Sequence, residues 1–390
     1  MGLVAIYLAL FLQGAATGVW IVDKGGKIIP TDFVAFWSTS LQLQTGPAAQ
    51  VYDPMLHRAV QATLLPPDYR GYFGWLNPPS FLLAISPLAL LPYPAAFLSW
   101  IGVTLMAYVA AMRTIIPSRW AMIGACAFPA SFWTMAVGQN GLLTAALVGG
   151  TLGLIERRPV LAGTLLGLLT YKPQFGVLFP VVLLATSRWR VLGAATITAL
   201  MLFAVSAAIF GPDVWNAFWN SIPLTQKAVL TDGRMGFGKL QSFYGAVLWF
   251  GGSIVAAWTI QGSITAILAI VTAWLWRSPA TMEVKAAALG VGVLLASPYA
   301  FIYDAPILAV PMAFLIRAGL ARGFMSGEIL LLGLSSTLVL VFPMTIGPIG
   351  LLAECLVALA VARRALSERK AGHDPVGLAH VALNGSREPV

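Results

Sequence analysis

The chain has 390 residues, of which 59% are hydrophobic and only 9% charged, and its mean hydropathy is +0.84. A soluble domain carries roughly 25% charged residues, so water is excluded as the main solvent. The formal net charge of +9 does not signal nucleic acid, because the basic residues sit in short pairs between apolar runs and form no continuous face.

Apolar runs of about 20 residues, enough to cross a hydrocarbon core of roughly 30 Å, recur along the whole chain. Backbone groups in lipid must be satisfied internally, and the runs lack the alternation of barrel strands, so they predict an all-α membrane fold. In chain order the spans fall near 1–22, 94–112, 120–137, 141–155, 159–171, 174–187, 190–210, 252–276, 284–301, 305–318, 325–343 and 347–362, a bundle of twelve. The first has no basic n-region and no convincing cleavage site, and so reads as a span rather than a signal peptide. Arg113 and Arg119, Arg157 and Arg158, Arg188 and Arg190, Arg277 and Lys285, Arg317 and Arg322, and Arg363, Arg364, Arg369 and Lys370 fall in alternate loops. The positive-inside rule makes those loops cytoplasmic, and both termini with them. Parity then requires 80–92, short and broken by Pro87 and Pro92, to be interfacial or re-entrant, and 241–250 follows the same rule. Residues 1–370 thus read as one transmembrane domain with long outer loops at 23–93 and 211–251, and the polar 371–390 as a disordered cytoplasmic tail.

Seven of the fourteen acidic residues map to the outer side, and all are aspartates: Asp23, Asp32, Asp53, Asp68, Asp213, Asp232 and Asp304. Asp32 stands among aromatic residues in Pro30-Thr31-Asp32-Phe33-Val34-Ala35-Phe36-Trp37. A carboxylate at the membrane boundary is partly desolvated, which suits a proton acceptor; equally, Asp32 could cap a short helix beginning at Phe33. Lys172, in Thr170-Tyr171-Lys172-Pro173-Gln174, could hold a phosphate at headgroup level or simply snorkel. Gln139 and Asn140, in Gly138-Gln139-Asn140-Gly141, could hydrogen-bond sugar hydroxyls or merely make the turn. Glu354 lies inside the last span, where an acid is a functional candidate unless it pairs with a neighbouring helix.

Other patterns carry less. Gly233 to Lys239 spells GRMGFGK, but Leu240 stands where a P-loop needs Ser or Thr, and no strand precedes it. His57, His373 and His380 are too scattered for a metal site, and none is expected. Cys126 and Cys355 sit far apart inside apolar runs, with no CxxC. The sequon at Asn384 falls in the predicted cytoplasmic tail, where no glycan is expected.

Four stretches, in order, resemble glycosyltransferase family 87, a group of GT-C membrane glycosyltransferases that depend on polyprenyl-phosphate mannose. They are Asp32 with the aromatic residues after it; Gly46 through Val51-Tyr52-Asp53-Pro54; Asn77-Pro78-Pro79 followed by Pro87 to Pro92; and Gly138-Gln139-Asn140 with Tyr171-Lys172-Pro173-Gln174. The resemblance covers roughly the first 190 residues and continues only through Gln241-Ser242 and Ser297-Pro298. It implies an inverting transferase that moves a sugar, mannose in this family, from a polyprenyl-phosphate donor to a glycolipid or glycan acceptor. The reaction would take place on the outer side of a bacterial inner membrane, with no cofactor.

The resemblance makes Asp32 the general base. Lys172 would stabilise the departing lipid phosphate, with Arg234 or Lys239 from the second long loop, while Gln139, Asn140, Tyr52 and Asp53 would contact substrate. Trp37, Tyr52, Trp75 and Tyr299 could stack on sugar faces. After Ser297-Pro298 the family often places a histidine, whereas this chain runs Tyr299-Ala300-Phe301-Ile302-Tyr303-Asp304, so Tyr303 or Asp304 would take its place. The rival reading is a polytopic transporter or flippase. Against it, no internal repeat pairs two halves, and the informative residues crowd onto one face rather than the midplane.

Overall fold

A computed structural model describes residues 2–233, 236–342, 345 and 347–373. Arg234, and the predicted tail from residue 374 onward, lie outside the described residues. Among the described residues the structure is helical, and the only β pairing is three isolated bridges.

Helix α1 (Gly2–Thr17) stops short of Val22, where the apolar run had predicted its end. Gly18 adopts φ +72°, its N–H donates to Ala15 O at 3.3 Å, and the Val19 N–H donates to Gly14 O at 2.9 Å. This paired closure by a left-handed glycine terminates a helix even where hydrophobicity continues. The chain then folds back, Trp20 Nε1 donating to Ala136 O at 3.0 Å, and so brings residues 30–32 against the helical body.

The predicted first outer loop is mostly helical: α2 (Phe33–Thr45), α3 (Pro54–Leu64) and α4 (Pro79–Ile85), the last continued by a 3-10 turn at Ser86–Leu90. Proline opens α3 and α4 at the position where a missing N–H costs nothing. The apolar body follows with α5 (Tyr93–Ile115), α6 (Arg119–Ala127), α7 (Pro129–Val137), α8 (Gly141–Leu154), α9 (Pro159–Leu168), α10 (Leu178–Ala185) and α11 (Trp189–Phe210). The run expected at 120–137 is bent by 60° between α6 and α7, at Pro129. The second predicted long loop contains α12 (Asp213–Gln226) and α13 (Phe243–Trp249). The remainder is α14 (Ile254–Arg277), α15 (Met282–Leu295), α16 (Ala309–Arg322), α17 (Glu328–Val341) and α18 (Ile349–His373).

By length and composition, four described helices can cross a bilayer: α5, α11, α14 and the continuous Ile302–Arg322 run that ends in α16; the bent α6 and α7 pair makes a fifth if taken as one span. The other apolar helices are shorter. Their apolar surface marks the chain as a membrane protein: α11 and α14 bury only 11% of their hydrophobic windows, leaving residues such as Ile197, Leu200, Ile267 and Ile270 facing outward. At the centre, α8 is buried along most of its length between α5 and α9. Gly163 and Gly167, four apart on α9, let it approach α11 so closely that a Cβ on either would overlap Val191 O or Thr198.

Residues from alternate loops gather in separate sets. Glu283 pairs with Arg317 at 3.2 Å, Arg322 joins Glu283 and Glu368, Arg364 pairs with Glu328, and Arg188 with Glu156. These belong to the segments predicted as cytoplasmic. Asp32, Gln139, Lys172 and Asp304, predicted to share the opposite face, come together elsewhere.

Candidate active site

Asp32 occupies the N-cap position of α2, yet its side chain accepts no capping hydrogen bond. The carboxylate is therefore not consumed by the local role the sequence allowed. Its place is fixed by its neighbours. Thr31 Oγ1 lies 3.3 Å from Tyr93 OH, and Phe33 is fully buried with its ring 5.0 Å from that of Phe97. Gly138, with φ +69°, ends α7, and a Cβ there would lie 2.6 Å from Phe33 Cβ. The Gly138-Gln139-Asn140 turn is thus pressed against the start of α2.

The half-buried Asp32 carboxyl is raised above its ordinary value chiefly by desolvation, opposed by the positive charge of Lys239 and by the hydrogen-bonding side chain of Gln139. Lys239 itself is exposed, on a 3-10 turn at Phe237–Lys239. The short segment after it is tied back to the body, Gln241 N–H donating to Ala300 O at 2.6 Å.

Lys172 stands between two 3-10 turns, Leu169–Tyr171 and Pro173–Phe175. Its neighbour Tyr171 stacks on Phe81 at 4.4 Å and its hydroxyl lies 2.6 Å from Thr144 Oγ1. Lys172 Nζ donates to Asp304 Oδ1 at 2.5 Å, and both side chains are buried. Asp304 Oδ2 also accepts the Phe301 N–H at 3.2 Å. Tyr303 passes its ring 5.2 Å from the ammonium, and its carbonyl accepts from Thr134 Oγ1 at 3.2 Å. A Cβ on Gly141 would overlap that same carbonyl, so the segment carrying Asp304 can sit on the start of α8 only because residue 141 is glycine.

A cavity of about 270 Å³ opens over these groups. Gln139, Asn140, Lys172, Tyr303 and Asp304 line it. Asp32 does not line it directly; it lies one turn before the lining residues Ala35 and Phe36 and adjoins the cavity through Gln139. Asn140 is 2% exposed and its Oδ1 has no hydrogen-bond partner, so the wall presents an unsatisfied acceptor.

Other predicted site residues lie elsewhere. Tyr52 is buried behind the wall, donating to Asn77 O at 2.8 Å and packing on Phe218. Asp53 is exposed and caps α3, accepting from Met55 N at 2.8 Å and Leu56 N at 3.2 Å. Arg234 lies outside the described residues. Glu354 is buried on α18, within electrostatic range of Asp304, and its Oε2 has no partner. Among the described residues no three His, Cys, Asp or Glu side chains are grouped to hold a metal ion.

The sequence reading missed α12, which supplies Phe218, Ser221, Thr225 and Gln226 to the cavity. The signal was present: Trp215, Phe218, Trp219 and Ile222 recur at helical spacing. Asn77 and Gln174, both within the stretches that resemble the family, also line the cavity.

The model of glycosyltransferase family 87 matches residues 75–298, more than half of the chain. The chain belongs to glycosyltransferase family 87. It is accordingly a membrane glycosyltransferase, and the matched stretch contains Gln139, Asn140, Lys172 and Lys239. Asp32, Tyr303 and Asp304 fall outside that stretch and meet it only in the folded structure. Neither the comparison with curated proteins nor that with solved structures finds a match.

Proposed function

We propose that this family 87 glycosyltransferase moves a sugar, mannose by family resemblance, from a polyprenyl-phosphate donor to a hydroxyl of a glycolipid or glycan, with inversion and with Asp32 as general base. The acceptor oxygen attacks the anomeric carbon as its proton passes to the Asp32 carboxylate, and the bond from that carbon to the phosphate oxygen breaks. The leaving lipid phosphate carries the negative charge away, stabilised by Lys239 and, from the same loop, Arg234. The observation that carries the reading is the uncapped carboxylate of Asp32 beside Gln139 at the edge of a cavity rich in amide side chains. Amides both donate and accept, which is what a ring of sugar hydroxyls requires.

The same reading places the site on the outer face of a bacterial inner membrane, with both termini cytoplasmic. Twelve crossings follow if α6 and α7 form one broken span, α1, α8, α9, α10, α15, α17 and α18 each complete one, and α4 stays interfacial. The pairing of Glu283 with Arg317 and Arg322, of Arg322 with Glu368, and of Arg364 with Glu328 supports alternate loops sharing a side. The test is to incubate purified protein in lipid nanodiscs with a panel of polyprenyl-phosphate sugars and an envelope lipid extract, following donor consumption by mass spectrometry. Wild type should consume one donor, and Asp32→Asn should bind that donor without turning it over. Turnover by Asp32→Asn would remove the base assignment, and no consumption across the panel would favour transport.

A further inference from the structure

We infer that Gln139 is a positioning residue for Asp32, its amide orienting the carboxylate toward the cavity and presenting it as a proton acceptor. The inference rests on the reading of Asp32 as the base, and it begins from packing. The left-handed Gly138 sets the turn within van der Waals reach of Phe33 and Phe97, so the residue after Gly138 emerges beside the residue before Phe33. Gln139 lines the cavity wall, whereas Asp32 reaches that cavity only as its neighbour.

The polarity of the amide is settled by its other contact. Gln139 Oε1 accepts the Asn140 N–H at 3.0 Å, which leaves Nε2 as the end that can face a carboxylate. An ionised carboxylate only accepts, so the match has one sense. The other groups that act on or feel the Asp32 charge differ in kind. Lys239 is an exposed cation on a separate loop, and Tyr69 and Tyr303 are phenols that feel the charge through space. The Lys172 ammonium is already paired with Asp304. Gln139 alone among these is anchored by a hydrogen bond within the turn that abuts α2.

Removing the donor therefore has a signed consequence. Burial opposes ionisation of Asp32, and Gln139 counters it, so without Gln139 the carboxyl holds its proton to higher pH. A hydrogen bond to a charged group corresponds to a shift of about one pH unit or somewhat more. The measurement is infrared titration of the protein in nanodiscs, the Asp32 carboxyl band being the one absent from Asp32→Asn. The midpoint should rise by about one unit in Gln139→Leu and further in the near-isosteric Gln139→Glu, which sets a second carboxyl beside the first. An unchanged midpoint in both, with the variants folded, overturns the inference; if the Gln139→Leu protein does not fold, the Gln139→Glu titration decides alone. Consumption of polyprenyl-phosphate mannose by Asp32→Asn, followed in parallel, overturns the base reading instead, and the infrared midpoint still judges whether Gln139 controls the carboxyl.

Discussion

Lys172 Nζ lies 2.5 Å from Asp304 Oδ1, a pair formed across 132 residues of sequence and buried on both sides. The relationship changes what the lysine can do. A bare ammonium would be a phosphate ligand, but an ammonium paired with a carboxylate contributes little net charge to the cavity floor. Under the proposed reaction a donor phosphate would then fall to the exposed Lys239, and the pair acts to join the turn after α9 to the segment entering α16.

A double-mutant cycle checks this division of labour. Removing one partner leaves the other charge buried and uncompensated, at a cost of roughly 3–5 kcal/mol, whereas removing both abolishes the problem. Lys172→Met and Asp304→Asn should each lower the thermal midpoint sharply, and the double variant should recover most of the loss. Additive losses, or a Lys172→Met protein that stays stable while losing only donor affinity, would return the lysine to the role of a phosphate clamp.

The pair also marks where sequence reading stops. Lys172, Asp304 and Asp32 were each legible as lone charges bordering apolar runs, because polar groups at such boundaries are costly and so stand out. Their grouping on one face followed from counting Lys and Arg in alternate loops. The bond between 172 and 304 was not legible, since nothing local in either segment encodes a partner in the other. Capping was hidden in a different way. The apolar run continued to Val22, and only the left-handed geometry of Gly18, weak as a sequence signal, ended α1 at Thr17. Helix α12 was legible in its period but was masked by its aromatic, half-polar composition, which reads as an interfacial loop.

Gly141 should tolerate no side chain. A Cβ there would overlap the Tyr303 carbonyl, which is held by Thr134, so relief requires moving the backbone that carries Asp304. Overpacking of this kind typically costs 1–3 kcal/mol, and about that loss is expected for Gly141→Ala in thermal unfolding. Because the displaced segment holds the partner of Lys172, turnover should fall more than stability does. Gly102→Ala, inside α5 at a position with nothing within 4 Å of the added carbon, should leave turnover unchanged and hold or raise the thermal midpoint, and serves as the control.

Asn140 yields a prediction in the opposite sense. Its Oδ1 is buried without a partner, so the folded protein already bears the cost of an unsatisfied acceptor. Replacing it with leucine, of similar volume, removes that cost, and the thermal midpoint should hold or rise slightly. A sugar hydroxyl that donates to Oδ1 would lose its bond, raising KM by about tenfold. A marked loss of stability in Asn140→Leu would mean that the amide holds the fold and not the ligand.

Helices α2 and α3 carry a built-in sensitivity to acid. His57 on α3 is fully buried, with Nε2 2.9 Å from Ser38 Oγ and 3.2 Å from Thr39 Oγ1, both on α2, and Nδ1 3.3 Å from Tyr72 OH. Desolvation lowers its pKa from 6.5 to about 4. Between those values the unfolded chain binds a proton that the folded one does not, so stability rises with pH across the window and is lost as pH falls from about 6.5 toward 4. The loss attributable to this one group reaches about 3 kcal/mol. Gln61, which grips Phe73 through both ends of its amide, links the same cluster to the segment leading to the cavity wall at Asn77, so acid should loosen the wall along with α2 and α3. Protection factors of α2 and α3 amides in nanodiscs, referred to the intrinsic exchange rate at each pH, should therefore fall progressively below pH 6.5, and in His57→Gln, which keeps hydrogen-bonding capacity but cannot protonate, the slope in that window should flatten. An equal slope in both proteins would assign the acid response to the carboxylates instead.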